Sequence, residues 1–165
     1  MSQIDELLGN AEAHAKGFDD GRLPSAPARK VAVVTCMDAR IDPYRLLGLR
    51  AGDAHVIRNA GGVVTEDTIR SLSISQRKLG TGEIALIQHT GCGLLTFTDE
   101  EFAAELEIET GERPRWGAHT FPDLEQSLCN GVERIRSSPF VPRTGSVRGL
   151  VYEVETGRLR EVHMP

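Results

Sequence analysis

The chain has 165 residues, of which 39% are apolar and 26% charged, an ordinary composition for one globular domain and not that of a disordered tail. A net charge of −5 and the lack of any Lys/Arg run exclude the basic face of a nucleic-acid binder. The longest apolar runs, at 31–34 and 84–87, are a fraction of the ~20 residues needed to cross a membrane.

Asp5, Glu6 and Glu12 stand near the start with no basic segment leading into an apolar one, so this stretch reads as neither a signal nor a transit peptide. Three cysteines, an odd number without a disulfide rhythm, place the protein in a reducing, cytoplasmic setting, where thiols ligate metals or fill cores.

Ser2-Gln3-Ile4-Asp5 reads as a capping box, after which Ile4, Leu7, Leu8, Ala11 and Ala15 keep helical spacing up to Gly17. Residues 19–29, with Gly21, Pro24 and Pro27, read as a linker, so 1–29 is an arm that either packs on its own domain or reaches a partner subunit. Residues 30–35 are a short Val-rich run expected of a strand buried on both faces. Asp42-Pro43 starts a helix that Gly48 ends, and 55–58 predict a second strand.

Thr65 caps a helix with Ile69, Leu72, Gln76 and Leu79 on one face, closed by Gly80; 83–88 predict a third strand. Thr98 to Glu101 is a further capping box, with Phe102 and Leu106 as the apolar stripe behind it. Pro122 opens a helix with Leu124, Leu128, Val132 and Ile135 inward, and 147–154 with 159–162 flank a hairpin turn at 155–158. Strands alternating with helices imply an α/β fold around a parallel sheet, in which ligands bind beyond the strands' carboxyl ends.

Two chemically loaded segments fall at such ends: Cys36-Met37-Asp38-Ala39-Arg40 after the first strand and His89-Thr90-Gly91-Cys92-Gly93 after the third. If those strands are neighbours, Cys36, His89 and Cys92 converge. Two thiolates and an imidazole suit zinc, and a catalytic site keeps its fourth position open. Water, Asp38 or Cys129 could take that position; Cys129, on a helix with an inward stripe, reads as a core residue. A centre with two thiolates acidifies water less than a cationic one, so it needs help from nearby groups. Asp38, paired with Arg40 and kept ionised, can accept a hydrogen bond at the metal.

A phosphatase Cys-x5-Arg loop fails at Asp42, a redox Cys-x-x-Cys is absent, and the third glycine of a dinucleotide fingerprint would fall on Thr96. His14, His55, His119 and His163 lack ligand spacing. His55 is the nearest candidate for a proton relay, and Trp116 and Tyr152 read as packing residues.

Cys36-x-Asp38-x-Arg40, then Arg58-Asn59-Ala60-Gly61, then His89-x-x-Cys92-Gly93, resembles the β-class carbonic anhydrases over about residues 31–97. The resemblance implies a zinc ion on Cys36, His89 and Cys92, a dyad of Asp38 and Arg40, and reversible hydration of CO₂ to bicarbonate and a proton by zinc-bound hydroxide. It implies one domain over 1–165 with four parallel strands, an antiparallel edge strand and flanking helices. Dimers or larger homo-oligomers would form with the N-terminal arm embracing the partner. The backbone N–H groups of Ala60, Gly61 and Gly62 could orient bicarbonate or simply shape a turn.

Ala39 stands where the family often has Ser, and Arg50 where many members have a substrate-orienting Gln. Hydrolysis of carbon disulfide or carbonyl sulfide on the same scaffold, and a non-enzymatic zinc-stabilised oligomeric module, are the alternatives.

Overall fold

Val, Ile and Ala dominate the short apolar runs, and these runs pair into one sheet. The protein's structure is a computed structural model that describes residues 2–163; Met1, Met164 and Pro165, the outermost residues of the expected domain, lie outside the described residues. The strands β1 (Val31–Cys36), β2 (Ala54–Asn59), β3 (Glu83–His89), β4 (Val147–Glu153) and β5 (Arg158–Glu161) lie in the order β2-β1-β3-β4-β5. β1 pairs in parallel with β2 and β3, β3 in parallel with β4, and only β5 runs antiparallel, on β4. This is the expected four-plus-one arrangement.

Central β1 is buried from Ala32 to Cys36, which is why its sequence is continuously apolar instead of alternating. Val31 is in register with Ala54 on one side and Glu83 on the other, so Cys36 ends opposite Asn59 and His89 ends β3 at the same carboxyl edge, two residues beyond Ile87, the partner of Thr35.

The helices are α1 (Gln3–Ala15), α2 (Pro43–Leu47), α3 (Glu66–Leu79), α4 (Asp99–Thr110) and α5 (Leu124–Arg136). α3 and α5 press Leu72, Leu128, Val132 and Ile135 onto Ala32, Val34, Ile84, Leu86 and Val151. Burying a side chain such as Leu72 completely stabilises the fold by about 1.5–3 kcal/mol. α5 begins at Leu124, two positions later than Pro122 suggested. Asp123 is its N-cap, accepting a hydrogen bond from the Gln126 N–H, and Pro122 lies before the helix. The α4 stripe is weaker than expected: Phe102 and Leu106 are half-buried, and no residue of α4 is buried.

α1 carries the expected capping box between Ser2 and Asp5, but none of its residues is buried. Ile4, Leu7 and Leu8 are 64%, 63% and 59% exposed, so the helix has an apolar stripe without a partner on its own chain. The following linker rejoins the body at the start of β2, where Ala28 and Arg29 N–H groups donate to the Gly52 and Asp53 carbonyls. No helix is long and apolar enough to cross a membrane among the described residues.

Candidate metal centre and its cleft

Parallel pairing of β1 with β3 brings Cys36 and His89 together, and the turn at Thr90-Gly91 returns Cys92 to the same point. Their ligand atoms lie within 4.8 Å of one another, and all three residues are buried. His89 Nδ1 is 3.0 Å from the Thr90 carbonyl. A carbonyl only accepts, so Nδ1 carries the proton and Nε2 turns a lone pair toward the cysteines. Among the described residues, Nε2 is one of few buried side-chain atoms without a hydrogen-bond partner.

A hydrogen bond from the Cys92 thiol pulls Cys36 well below the ordinary thiol range, while the same contact and burial push Cys92 up. Two thiols beside an unpartnered imidazole lone pair form a donor set for a cation whose binding displaces thiol protons. The donor set of two sulfurs and one nitrogen fits zinc, three donors where a tetrahedral ion takes four.

The surrounding loops are cross-tied by two arginines. Arg40 donates through Nε and Nη2 to the two oxygens of Asp38 at 2.9 and 2.7 Å, and its own N–H donates to Oδ1 at 2.9 Å. The same Nη2 donates to the Gly91 carbonyl at 2.9 Å, so the loop after β1 is fixed to the loop after β3. Asp38 Oδ2 comes within 3.8 Å of His89 Nε2. The Arg40 guanidinium holds the Asp38 carboxyl far below the usual range, which keeps it an acceptor. Arg58 donates to the Cys36 and Asp38 carbonyls at 2.9 and 2.8 Å, bracing the turn that carries both.

The turn at Ala60–Gly62 closes against the same strand end. Gly62 has φ 60°, and a Cβ there would sit 2.8 Å from the Cys36 nitrogen, so this close approach admits glycine alone. Ala60 and Gly61 line a cleft of about 730 Å³ that opens over Cys36, Asp38 and Cys92. Gly62 is not among its lining residues and serves the packing of the turn. The other walls are mainly apolar: Val63, Leu94, Phe97, Phe102, Trp116 and Ala118.

The carbonic anhydrase family model matches residues 31–123, a span that begins at β1 and ends beside α5. "Beta-carbonic anhydrase 1" of Mycobacterium tuberculosis is 51% identical over 162 residues, covering 98% of this chain and 99% of that protein. The chain belongs to the β-carbonic anhydrase family. A crystal structure of the carbonic anhydrase from Streptococcus mutans superposes with a TM-score of 0.92 at 41% identity, covering 99% of both chains. A carbon disulfide hydrolase of Acidianus sp. is 38% identical over 186 residues, covering 97% of this chain and 87% of that protein. Membership in this family of enzymes sets aside the non-enzymatic module.

Within the β-carbonic anhydrase frame, several sequence expectations change place. Trp116 is not a packing residue: it is 60% exposed and stands at the cleft, whereas Tyr152 does pack against the cluster behind the ligands. His55 lies near the start of β2, opposite Ala32, and hydrogen-bonds Ser75 and the Ser25 carbonyl. That is the far end of the sheet, so it is no proton relay. Cys129 is half-buried against the main core, outside the Cys36–His89–Cys92 group. Arg50 is exposed, its N–H donates to Asp53, and it is not among the cleft-lining residues. The aromatic wall escaped a search by motif. Its one signal was local: in a chain with 5% aromatics, Phe97 and Phe102 follow the His-x-x-Cys segment closely.

Proposed function

We propose that this β-carbonic anhydrase catalyses the reversible hydration of CO₂ to bicarbonate and a proton with one Zn²⁺ held by Cys36, His89 and Cys92. The convergence of those three ligand atoms, with Cys36 and Cys92 lining an apolar cleft, carries the proposal. Zinc, when bound, lowers the pKa of water enough to supply a nucleophile near neutral pH.

The chain's residues do the rest. Asp38, with both oxygens anchored by Arg40, accepts a hydrogen bond from solvent above the ligands and so orients that solvent toward the cleft. Arg40, through Gly91, holds the acceptor and the His89–Cys92 loop at a fixed separation. Leu94, Val63 and the aromatic residues form a water-poor wall suited to a small apolar molecule. Ala60 and Gly61 offer backbone groups beside the space left for bicarbonate, with Gly62 keeping their turn against Cys36.

One domain over 1–165, with 1–29 as arm and linker, works in the cytoplasm as a dimer or larger homo-oligomer. The bare apolar stripe of α1 supports the arm as the element that grips a partner subunit. The Acidianus relative supports a second substrate, carbon disulfide.

Stopped-flow CO₂ hydration by zinc-loaded protein, with carbon disulfide as the competing substrate, tests the proposal. Turnover of CO₂ is expected, and Asp38→Asn should keep zinc and fold while losing about 10–100-fold in rate. A zinc-loaded protein inert toward CO₂ even at alkaline pH contradicts it, and turnover of carbon disulfide alone transfers the site to the second substrate.

A further inference from the structure

The segment between α4 and α5 forms the outer wall of the cleft, and it has no helix or strand over 111–121. Two anchors on α4 hold it. Toward the tip, Arg113 donates to Glu100 at 2.6 Å and to Glu107 at 3.0 Å. At the base, the Asp99 carboxylate accepts from the His119 N–H at 3.1 Å and from the Thr120 N–H and hydroxyl, each at 2.7 Å. These bonds hold the Asp99 carboxyl below its ordinary range.

The anchored backbone is unusual. His119 has φ 60°, a left-handed conformation that few non-glycine residues adopt unless held there. Two residues earlier, a Cβ on Gly117 would come within 2.7 Å of Asp99 Oδ2, so the strap lies directly on the carboxylate. Between the anchors stands Trp116, its ring 6.3 Å from Phe102, which is 5.5 Å from Phe97; all three line the cleft.

We propose that Asp99 is a positioning residue that pins the 117–121 strap and thereby sets Trp116 across the mouth of the cleft, making this wall the selector for small linear substrates. This role rests on the CO₂ hydratase function of the same cleft. Asp99 touches no substrate and acts through the backbone of His119 and Thr120. A loosened wall admits water and holds CO₂ less well, so the effect falls on KM. A general loss of folded protein lowers kcat and leaves KM alone.

Trp116 is the only tryptophan of the chain, so its fluorescence anisotropy reports the wall without reference to turnover. Asp99→Ala should lower that anisotropy and raise KM for CO₂ about fivefold, with a smaller change in kcat. Asp99→Asn, which keeps one acceptor oxygen for Thr120, should fall between. Trp116→Ala should raise KM similarly, and the double variant should be no worse than either single one, because both remove the same wall. If Asp99→Ala does not fold, Gly117→Ala presses on the same carboxylate and should produce the same KM and anisotropy changes.

Unchanged KM and anisotropy, or effects of Asp99→Ala and Trp116→Ala that simply add, overturn the role while leaving the hydratase intact. A wild-type protein without CO₂ turnover removes the hydratase function itself, and the selector role falls with it.

Discussion

Arg40 grips Asp38 with two parallel hydrogen bonds and spends the remaining reach of Nη2 on Gly91. A lysine offers a point charge where this geometry needs a planar fork. Arg40→Lys should therefore behave like Arg40→Leu, each losing about 10–100-fold in stopped-flow CO₂ hydration; recovery by lysine shows that charge alone suffices. Asp99 yields a prediction in pH. Its folded-state pKa is depressed by the Thr120 and His119 donors, so its stabilisation is complete above the unfolded value of 3.8. That stabilisation is lost as pH falls through the lower folded value. The melting-temperature gap between wild type and Asp99→Asn should be open at neutral pH and close under strong acid; a gap independent of pH refutes the linkage.

At this scale spacing spoke clearly for the ligands, because Cys36, His89 and Cys92 carry rare chemistry at strand ends. It made Trp116 a packing residue, because the hydrogen bonds that set its place join Asp99 to backbone 20 and 21 residues away.

Among the elements, α3 and α5 were readable because Leu72, Gln76, Leu128, Val132 and Ile135 repeat with helical period and all end buried. Gln76 in such a stripe is polar for a reason. Its side chain donates to the Arg143 carbonyl and accepts from the Arg143 N–H, both at 2.8 Å, fastening the loop before β4. Gln76→Leu strands both groups and should cost about 1–3 kcal/mol in urea unfolding; a neutral result means that water replaces the pair.

In α4 the apolar stripe of Phe102 and Leu106 is half-buried, and Phe102 faces the cleft. Half of the 12 residues of α4 are acidic and none is buried, so Phe102 has no deep layer to enter. α1 makes its own prediction: deletion of residues 1–20 should weaken self-association in sedimentation while the remaining body stays folded, because α1 buries nothing within its own chain. An unchanged association constant removes the arm from the interface.

For the molecule as a whole, the alternation of strand and helix predicted a parallel sheet, and the strand order decides its function. Only with β1 beside β3 do the two ligand loops meet, and the connection from β2 to β3 passes β1 to put them there. The sequence could state it only as a condition, since pairing partners are tertiary choices. Stability should be coupled to the metal for the same reason, with zinc tying the ends of β1 and β3 together. Zinc K-edge absorption on protein loaded with one equivalent of zinc tests this most directly. Two sulfur scatterers at about 2.3 Å and light-atom ligands at about 2.0–2.1 Å are expected; a shell with one sulfur or none contradicts the convergence of Cys36, His89 and Cys92 on a single ion.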